Sequence, residues 1–409
     1  MLDIKRIRSD TDAVRQALAR RGASEAERVD QLLALDERWR SLTTQLEELR
    51  AEQNRASKAR RGAPTPQERE QLASLSARGR QLSEEATRVG SERDRLLASL
   101  GNLPADDAPD EDTVLREVGE AGASGRDHLE LAGSMIDMEH AAQLSGSRFA
   151  YLRGDLVLLE LALVRYAIEK LRGEGFEPVS PPVLVRERAL YGTGFLPDTE
   201  QQIYQLPQDD LYLVGTSEVA LASLHRDEIL EEDALPRRYA GFSSCFRREA
   251  GAAGRDTRGI FRVHQFDKVE MFAFVEPSQS EAEHERILAI EESICQELEI
   301  PYRVVNIAVS DLGASAAKKY DIEAWLPGQE RFRELTSCSN TTDYQARRLD
   351  IRYRPKEGRV TQVHTLNGTA VTSSRTIIAL LENGQQGDGE VPIPKVLKPF
   401  GAPEVVRAT

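Results

Sequence analysis

Residues 245–272 are rich in arginine and have the composition of a site that binds an anion. Arg247 and Arg248 stand beside Glu249, at the start of a polar, glycine-rich segment. That segment adds three further arginines: Arg255, Arg258 and Arg262. A guanidinium group binds phosphate oxygens through two parallel hydrogen bonds, and so many like charges near one loop repel one another unless an anion neutralises them. This stretch therefore predicts a phosphate-binding loop.

Aromatic and acidic residues on the same stretch extend the prediction from phosphate to a nucleotide. Phe266 can stack on an adenine ring, and the carboxylate of Glu249 or Glu270 can accept hydrogen bonds from an exocyclic or substrate amine. Apolar residues flank the polar segment on both sides, so we expect a strand, a loop and a second strand. A surface hairpin with ion pairs is the alternative interpretation of the same residues.

The segments around this hairpin predict an α+β fold. Residues 155–173 form an apolar and amphipathic run that is long enough for a buried helix. Five other runs have the composition of strands: Leu211–Val214, Gly259–Val263, Val269–Val275, Tyr302–Ala308 and Arg359–His364. Strands and helices do not alternate regularly, which disfavours a doubly wound parallel sheet. We therefore expect a mostly antiparallel sheet flanked by helices.

Two apolar runs before this core alternate steps of three and four residues, which is the period of a coiled-coil seam. The first consists of Leu32, Leu35, Trp39, Leu42, Leu46, Leu49, Gln53 and Ala56, and the second of Leu72, Leu75, Gly79, Leu82, Ala86, Val89, Arg93, Leu96 and Leu100. A Gly/Pro-rich turn at residues 62–66 separates them. We expect an antiparallel coiled-coil hairpin over residues 27–100, about 50 Å long at 1.5 Å per residue. A dimerisation coiled coil is the alternative.

Basic residues cluster near the expected tip of this hairpin, and they suggest contact with phosphates. They are Arg55, Lys58, Arg60 and Arg61 on the first helix, with Arg78 and Arg80 on the return helix. Residues 1–100 carry 20 Lys and Arg against 17 Asp and Glu, whereas the whole chain has a net charge of −14. A basic cluster at the far end of a lever in an acidic protein favours a nucleic-acid backbone as its partner.

Composition limits the remaining possibilities. The chain has 409 residues, of which 40% are hydrophobic, enough for a large core and an appendage. No apolar run reaches the ~20 residues that span a bilayer, and the N-terminus lacks the apolar segment of a signal peptide, so we expect a cytoplasmic protein without a membrane partner. The three cysteines, Cys245, Cys295 and Cys338, are far apart and form no zinc pattern with the histidines. No structural zinc is expected.

Five blocks of the sequence, in order, resemble the signature motifs of class II aminoacyl-tRNA synthetases of the seryl family. The arginine-rich stretch, FRRE…GRDTRG…FRVHQFxKVE, is similar to the second class II motif. The other four are Gly175–Pro182, similar to the first motif; Val214–Glu218, similar to the serine-binding T-S-E block; Phe332–Asn340, similar to the E-x-S-S-x-S-N block; and Gly368–Thr376, similar to the third motif. Thr369 keeps a hydroxyl where the family pattern has serine.

The resemblance implies an ATP site with Mg²⁺. It places Arg247 on the α-phosphate, Glu249 on the adenine amino group, Phe266 under the adenine ring and Arg375 near the γ-phosphate. The implied ATP-binding set is Arg247, Arg248, Glu249, Val263, Phe266, Glu334, Leu335, Thr336, Ser337 and Arg375. Arg247, Glu334 and Arg375 are the implied catalytic residues of this set. Glu334 and Ser337 are the implied ligands of the magnesium ion.

The resemblance also implies a serine site, formed by Thr216, Ser217, Glu218, Glu270 and Thr369. A small polar pocket rejects larger side chains by size, and rejects alanine because buried polar groups are left unpaired. The implied activity is a serine–tRNA ligase that forms seryl-adenylate from L-serine and ATP and transfers serine to the 3′ end of tRNA(Ser). Whether tRNA(Sec) is a second substrate stays open.

The implied architecture is a class II antiparallel sheet flanked by helices, preceded by the coiled-coil arm. Residues 1–103 would bind tRNA, 104–113 form a linker, and 114–409 form the catalytic domain, which dimerises through the first motif. Two other functions are compatible with parts of this pattern. A relative that loads a carrier protein tends to lack the arm, which is intact here. A non-catalytic tRNA-binding protein has no need of Arg247, Glu249, Glu334 and Arg375 together.

Overall fold

A computed structural model describes residues 1–58, 65–197, 202–250, 256 and 258–407. The chain divides into two compact units, Met1–Leu103 and Pro104–Thr409. In these described ranges, no helix combines the length and the apolar content that a membrane span needs.

The helices are α1 Ile4–Ser9, α2 Thr11–Ala19, α3 Ala23–Lys58, α4 Pro66–Ser99, α5 His128–Ala132, α6 Met138–Ser145, α7 Asp155–Gly173, α8 Glu187–Thr193, α9 Glu218–Ala222, α10 Ser280–Glu297, α11 Tyr344–Leu349 and α12 Ser373–Gly384. The strands are β1 Thr113–Val118, β2 Ile136–Asp137, β3 Tyr151–Leu152, β4 Glu177–Val179, β5 Leu184–Val185, β6 Gln205–Leu206, β7 Leu211–Leu213, β8 Ile229–Glu231, β9 Arg237–Phe246, β10 Gln265–Val275, β11 Tyr302–Asn306, β12 Lys318–Leu326, β13 Arg331–Thr342, β14 Arg352–Arg354, β15 Thr361–Gln362, β16 His364–Thr372, β17 Val391–Pro392 and β18 Val405–Val406.

The first unit is a helical arm, as predicted, made of α3 and α4. Thr65 and Glu68 form a capping box at the start of α4, and Pro66 occupies its first turn, where its missing N–H costs nothing. At 1.5 Å per residue, the 36 residues of α3 extend about 50 Å. The short helices α1 and α2 cover the base of the arm through one apolar cluster: Leu2, Ile7, Val14, Leu18, Val29, Leu32, Leu97 and Leu100.

A polar layer interrupts the apolar seam of the arm near its base and explains why an arginine occupies a seam position. The guanidinium of Arg93 lies 3.9 Å from the centre of the Trp39 ring and 3.6 Å from the buried carboxylate of Asp36. A Cβ on Gly90 would lie 2.9 Å from the Trp39 indole nitrogen, so glycine is what lets α4 approach the ring. Arg8 reaches the same carboxylate at 3.6 Å.

The second unit is built on an eight-stranded sheet within its described residues, in the order β1-β11-β12-β13-β16-β10-β9-β4. Neighbouring strands are antiparallel, apart from the parallel pair of β4 and β9. Helices α7, α10 and α12 pack against the sheet, and their apolar faces join it in the main hydrophobic core. The predicted antiparallel sheet flanked by helices is confirmed.

One predicted strand is wrong. Residues Gly259–Val263 form bends and no strand, although β10 begins two residues later at Gln265. Ile260, Phe261 and Val263 are nevertheless buried. Buried apolar residues in a loop that is covered by the protein have the same sequence pattern as a strand, which accounts for the error.

Candidate functional site

A cavity of about 660 Å³ opens over strands β10, β13 and β16, and we call it the central cavity. Most of the residues that the sequence singled out for ATP and serine line it: Thr216, Glu218, Arg247, Glu249, Val263, Phe266, Glu270, Glu334, Leu335, Thr336, Ser337, Thr369 and Arg375. The structure therefore brings the two expected groups into one space.

Two of the predicted residues do not line this cavity. Ser217 is fully buried, and its hydroxyl donates to the backbone oxygen of Gly241 at 3.4 Å. Arg248 is exposed, and its backbone N–H donates to the oxygen of Gln202 at 2.9 Å. Each of the two residues lies between two lining residues in the chain. Ser217 directly precedes helix α9 and has a helical backbone conformation, in which its side chain is directed to Gly241.

Strand β10 places three chemically different side chains on one face. Phe266, Lys268 and Glu270 are two residues apart, and side chains at that spacing lie on the same face of a strand. All three line the central cavity. An aromatic ring, an ammonium group and a carboxylate therefore follow one another along the cavity floor.

β-Bulges on the neighbouring strands β13 and β16 change the alternation of side chains between the two faces of the sheet. Glu334 and Ser337 are three residues apart on β13 and would point to opposite faces of a regular strand. The pairing of β13 with β12 shifts register between Thr336 and Glu334, so Leu335 is an extra residue. On β16, a shift opposite Val269 and Glu270 leaves Ala370 as the extra residue. As a result, Glu334 and Ser337 both line the cavity.

The side chain and backbone of Arg247 are held from several sides. Its Nε donates to the backbone oxygen of Gly215 at 3.2 Å, and its guanidinium carbon lies 5.3 Å from the centre of the Phe266 ring. His264 fixes the backbone, since its Nδ1 donates to the Arg247 oxygen at 2.8 Å and its own oxygen accepts the Arg247 N–H at 3.0 Å. The guanidinium is thus positioned before any ligand binds, and the contacts of His264 with the Arg247 backbone are structural.

The carboxylates of the hairpin loop are paired with its arginines. Glu249 forms an ion pair with Arg262. Asp256 lies 2.8 Å from a guanidinium nitrogen of Arg333 and 3.7 Å from Nε of Arg262. Burial opposes ionisation of Asp256, but the guanidinium groups around it lower its pKa below the ordinary value. Asp256 is therefore held ionised by the guanidinium groups around it, and Glu249 is paired with Arg262.

A charged cluster lies at the β12–β13 end of the cavity. Nη1 of Arg375 is 3.3 Å from the Glu334 carboxylate and donates to the backbone oxygen of Glu334 at 3.0 Å. Lys319 lies 2.8 Å from Asp321, which pairs across the strands with Ser337. Burial works against ionisation of Glu334, but Arg375, Lys319 and Arg247 keep its pKa well below the ordinary value. Glu334 is thus an ionised carboxylate that faces the cavity.

The opposite end of the cavity has two buried acids and one cation. Lys268 forms an ion pair with Glu270 and donates to the Thr216 hydroxyl at 2.7 Å. That hydroxyl lies 3.3 Å from Glu270 and also accepts the backbone N–H of Glu218 at 3.2 Å. Burial, and then the charge of Glu270, raise the pKa of Glu218 to about 7. Glu218 is therefore only partly ionised near neutral pH, and a cation bound beside it would favour its charged form.

Three residues of this network were not predicted from the sequence: Lys268, Gln345 and Glu291. Gln345 is fully buried; its amide donates to Glu218 at 2.7 Å and its oxygen accepts from Thr365 at 2.9 Å. Glu291 lies on α10 under β16, where the Thr336 hydroxyl is 3.4 Å from its carboxylate. Burial, and then Glu270, raise the pKa of Glu291 well above the ordinary value. Only the spacing of Lys268 from Phe266 and Glu270 offered a signal in the sequence.

The basic residues of the arm are in the other unit. Arg55 and Lys58 on α3, and Arg78 and Arg80 on α4, are exposed. Arg60 and Arg61 lie outside the described residues. In the described ranges, no group of three or more His, Cys, Asp or Glu side chains is arranged to hold a metal ion, and the three cysteines are buried.

The fold and the cavity define a class of protein. Residues 202–384 match the family described as tRNA synthetase class II core domain (G, H, P, S and T), and these residues contain β9, β10, β13 and β16. This part of the chain is a class II aminoacyl-tRNA synthetase core. Residues 1–104 match the seryl-tRNA synthetase N-terminal domain.

Full-length relatives narrow the class to one family. The chain is 49% identical to a serine–tRNA ligase of Thermobifida fusca, covering 100% of this chain and 99% of the relative, and 49% identical to that of Streptomyces coelicolor with the same coverage. A crystal structure of seryl-tRNA synthetase from Pyrococcus horikoshii, complexed with ATP, has a TM-score of 0.93 at 40% identity over 100% of both chains. The chain belongs to the seryl-tRNA synthetase family.

Proposed function

We propose that the central cavity binds ATP and L-serine side by side and joins them as seryl-adenylate. The chain is a serine–tRNA ligase, an enzyme that then transfers serine to tRNA. The observation that carries the site assignment is the order of side chains along the cavity. Cations and an ionised carboxylate lie at one end, and two buried acids with hydroxyl groups lie at the other.

In this proposal, ATP lies across the hairpin of β9 and β10. Arg247 binds the α-phosphate, Phe266 stacks under adenine with Val263 beside it, and Glu249 accepts from the adenine amino group. Arg375 binds the γ-phosphate end, where its guanidinium already lies 4.8 Å from the Phe261 ring. The relative from Pyrococcus horikoshii that matches over the full chain was crystallised with ATP, which supports a nucleotide in this cavity.

Serine occupies the acidic end, in contact with Thr216, Glu218, Glu270 and Thr369. The serine ammonium group pairs with Glu270 and Glu218. Once Glu218 is ionised, these two carboxylates carry two negative charges, of which Lys268 neutralises one. The serine hydroxyl exchanges hydrogen bonds with the threonine and carboxylate oxygens. Neither the exposed Arg248 nor the buried Ser217 lines the cavity. We therefore propose that these two residues adjoin binding residues in the chain and do not contact a substrate.

The oxygen atoms of Glu334 and Ser337 fit a magnesium ion that is held mainly by ATP. Mg²⁺ prefers hard oxygen ligands and usually keeps several waters, with one or two protein ligands and substrate phosphates completing its shell. Glu334 is ionised, and the bulge at Leu335 brings the Ser337 hydroxyl to the same face. When bound, the ion would neutralise phosphate charge.

The reaction needs positioning more than acid–base chemistry. A carboxylate oxygen of serine attacks the α-phosphorus in line, an O–P bond forms, and the bond to pyrophosphate breaks. In the second step, a terminal ribose hydroxyl of tRNA attacks the serine carbonyl carbon and AMP leaves. Arg247 stabilises the charge on the α-phosphate in the first step. No protein nucleophile is required.

The remaining parts of the proposal concern the other partners. Residues 1–103 bind tRNA through the exposed cations of the arm, and residues 114–409 form the catalytic domain after the linker at 104–113. The catalytic domain dimerises through the first motif, since Val157, Leu158 and Leu161 expose apolar surface on α7, the helix before that motif. We place the enzyme in the cytoplasm. Charging of purified tRNA(Sec) would decide whether it is a second substrate.

Amino-acid-dependent ATP–pyrophosphate exchange tests the substrate. We expect serine to support exchange, and alanine and threonine to support it at least about a hundredfold less well in kcat/KM. Alanine leaves the buried polar groups unpaired, and threonine adds a methyl group beside Thr369. A similar rate with all three amino acids would contradict the serine site, whereas absence of exchange with every amino acid would contradict the enzyme itself.

The pKa of Glu218 predicts a pH dependence of serine binding. Below its pKa of about 7 this carboxyl is protonated, so a proton must leave before its charge can pair with the serine ammonium group. We expect the KM for serine to rise about tenfold between about pH 8 and pH 6, as follows for one proton in competition. Glu218→Gln is the control: its KM should be high throughout and nearly independent of pH. An equal slope in wild type and variant would contradict the assignment.

A further inference from the structure

A buried histidine outside the central cavity contacts the loop that leads into β10. His128 is the first residue of α5 and is 4% exposed. Its Nε2 lies 3.3 Å from the backbone nitrogen of Ile260, and its Nδ1 lies 2.9 Å from Oε1 of Glu382. A backbone N–H can only donate, so Nε2 is the unprotonated acceptor and Nδ1 carries the hydrogen that Glu382 accepts. These two contacts therefore select one tautomer of the ring.

The carboxylate of Glu382 is fixed by further bonds. It is 1% exposed and belongs to α12. Oε1 also accepts the backbone N–H of His128 at 3.2 Å, and Oε2 accepts the backbone N–H of Gly328 at 2.9 Å. The Glu382 carboxylate thus links α5, α12 and the turn between β12 and β13, and it binds Nδ1 of the imidazole ring. The lone pair on Nε2 of the ring faces the backbone N–H of Ile260.

The backbone of Gly259 approaches the imidazole ring of His128 closely. Its φ is +77°, a conformation that side chains other than glycine rarely adopt. A Cβ at this position would lie 2.1 Å from Nε2 of His128, far inside van der Waals contact. The close approach of loop and ring therefore requires both the conformation and the missing side chain.

The anchored residue stands directly before the residues that line the ATP end of the cavity. Ile260 is 2% exposed and is followed by Phe261, whose ring centre is 4.8 Å from the guanidinium carbon of Arg375. Arg375 lies on α12, two turns before Glu382. The same helix therefore contacts this loop twice, through the ring of Phe261 and through the pair of Glu382 and His128.

We propose that His128 is a positioning residue for ATP: its bond to Ile260 fixes Gly259–Val263, so that Phe261 directs Arg375 toward the triphosphate. The inference rests on the proposed function, because it concerns the affinity for ATP in the central cavity. It assigns a role to a residue that contacts neither substrate, and it predicts an effect on ATP that serine does not share.

Two matched variants separate the two bonds of the ring. An asparagine amide can replace Nδ1 and donate to Glu382, but it does not reach Ile260. A glutamine amide can place its oxygen where Nε2 stood. In pyrophosphate exchange, we expect His128→Asn to raise the KM for ATP about tenfold, the effect of one lost hydrogen bond to a buried group, with the KM for serine within about twofold of wild type. His128→Gln should recover most of the ATP affinity.

Gly259→Ala gives an independent measurement, since its Cβ forces the loop backbone and the His128 ring apart while the imidazole itself is kept. It should also raise the KM for ATP more than that for serine, and the loss in the double variant with His128→Asn should be smaller than the product of the single losses. Equal rises in both KM values, with a lowered melting temperature, would show a merely structural histidine and overturn the inference. If wild type itself shows no exchange, the proposed function fails. If wild type is active and neither His128→Asn nor Gly259→Ala changes the KM for ATP, only this inference fails.

Discussion

Arg247→Ala is expected to reduce serine-dependent ATP–pyrophosphate exchange by about a thousandfold or more. In the proposed complex this guanidinium is the group that stabilises charge at the α-phosphate, and removing one such donor from a transition state costs on the order of 10²–10³ in rate. The loss of a charged, bidentate contact adds to that cost. Gly215 and Phe266 contact the side chain and His264 binds the backbone, so Arg247 is held in place before ATP binds and its removal leaves these contacts with no guanidinium to orient.

Two further variants make the result specific. Arg247→Lys keeps the charge and loses the planar fork, so we expect exchange between those of wild type and Arg247→Ala. Arg354→Ala removes an exposed arginine of β14 that pairs with Glu231 at 3.4 Å, and it should leave exchange unchanged. Melting temperatures of all three should lie close to wild type. Near-normal exchange in folded Arg247→Ala would remove this residue from the ATP site.

The local periodicity of the sequence was enough to predict the helices of the arm and the type of sheet that lines the central cavity. The steps of three and four from Leu32 onward gave both arm helices, because a seam must repeat along one helical face to stay in contact. Apolar runs without regular helical connections gave an antiparallel sheet. The same reasoning wrongly predicted a strand at Gly259–Val263. The apolar composition of this segment reflects burial against neighbouring elements, as for Ile260, and not pairing in a sheet.

The details of the site depend on long-range pairing, and a single sequence does not contain that information in readable form. The bulge at Leu335 brings Glu334 and Ser337 to one face, yet it is defined only by the partner strand β12. Lys268 directly precedes the predicted strand Val269–Val275, and its contacts with Glu270 and Thr216 depend on how the loop before α9 packs against β10. Gln345, Glu291 and His128 lie on three separate helices behind the cavity, where they contact Glu218, Thr336 and Ile260, and no local motif marks them.

Shortening the arm is expected to abolish tRNA charging and to spare amino-acid activation. Complete deletion of the hairpin would remove Val29, Leu32 and Leu97 from the apolar cluster that α1 and α2 share, so the cut is better placed farther out. Gly79 lies against Leu49, and Gly90 against Trp39, which gives the register of the two helices. Replacing residues 46–82 by a short glycine-rich turn removes the exposed cations and keeps the base of the arm.

The shortened enzyme should retain exchange within about twofold, because every group proposed to bind ATP or serine lies in the other unit. Its charging of tRNA(Ser) should fall by about a hundredfold or more, since several phosphate contacts act together and each weakens with salt. A matched full-length variant, with Arg55, Lys58, Arg78 and Arg80 changed to glutamine, separates charge from length. If it charges normally and the shortened arm does not, the arm binds tRNA by shape and not through these cations. Equal loss of exchange and charging in the shortened enzyme would contradict a separate tRNA-binding arm.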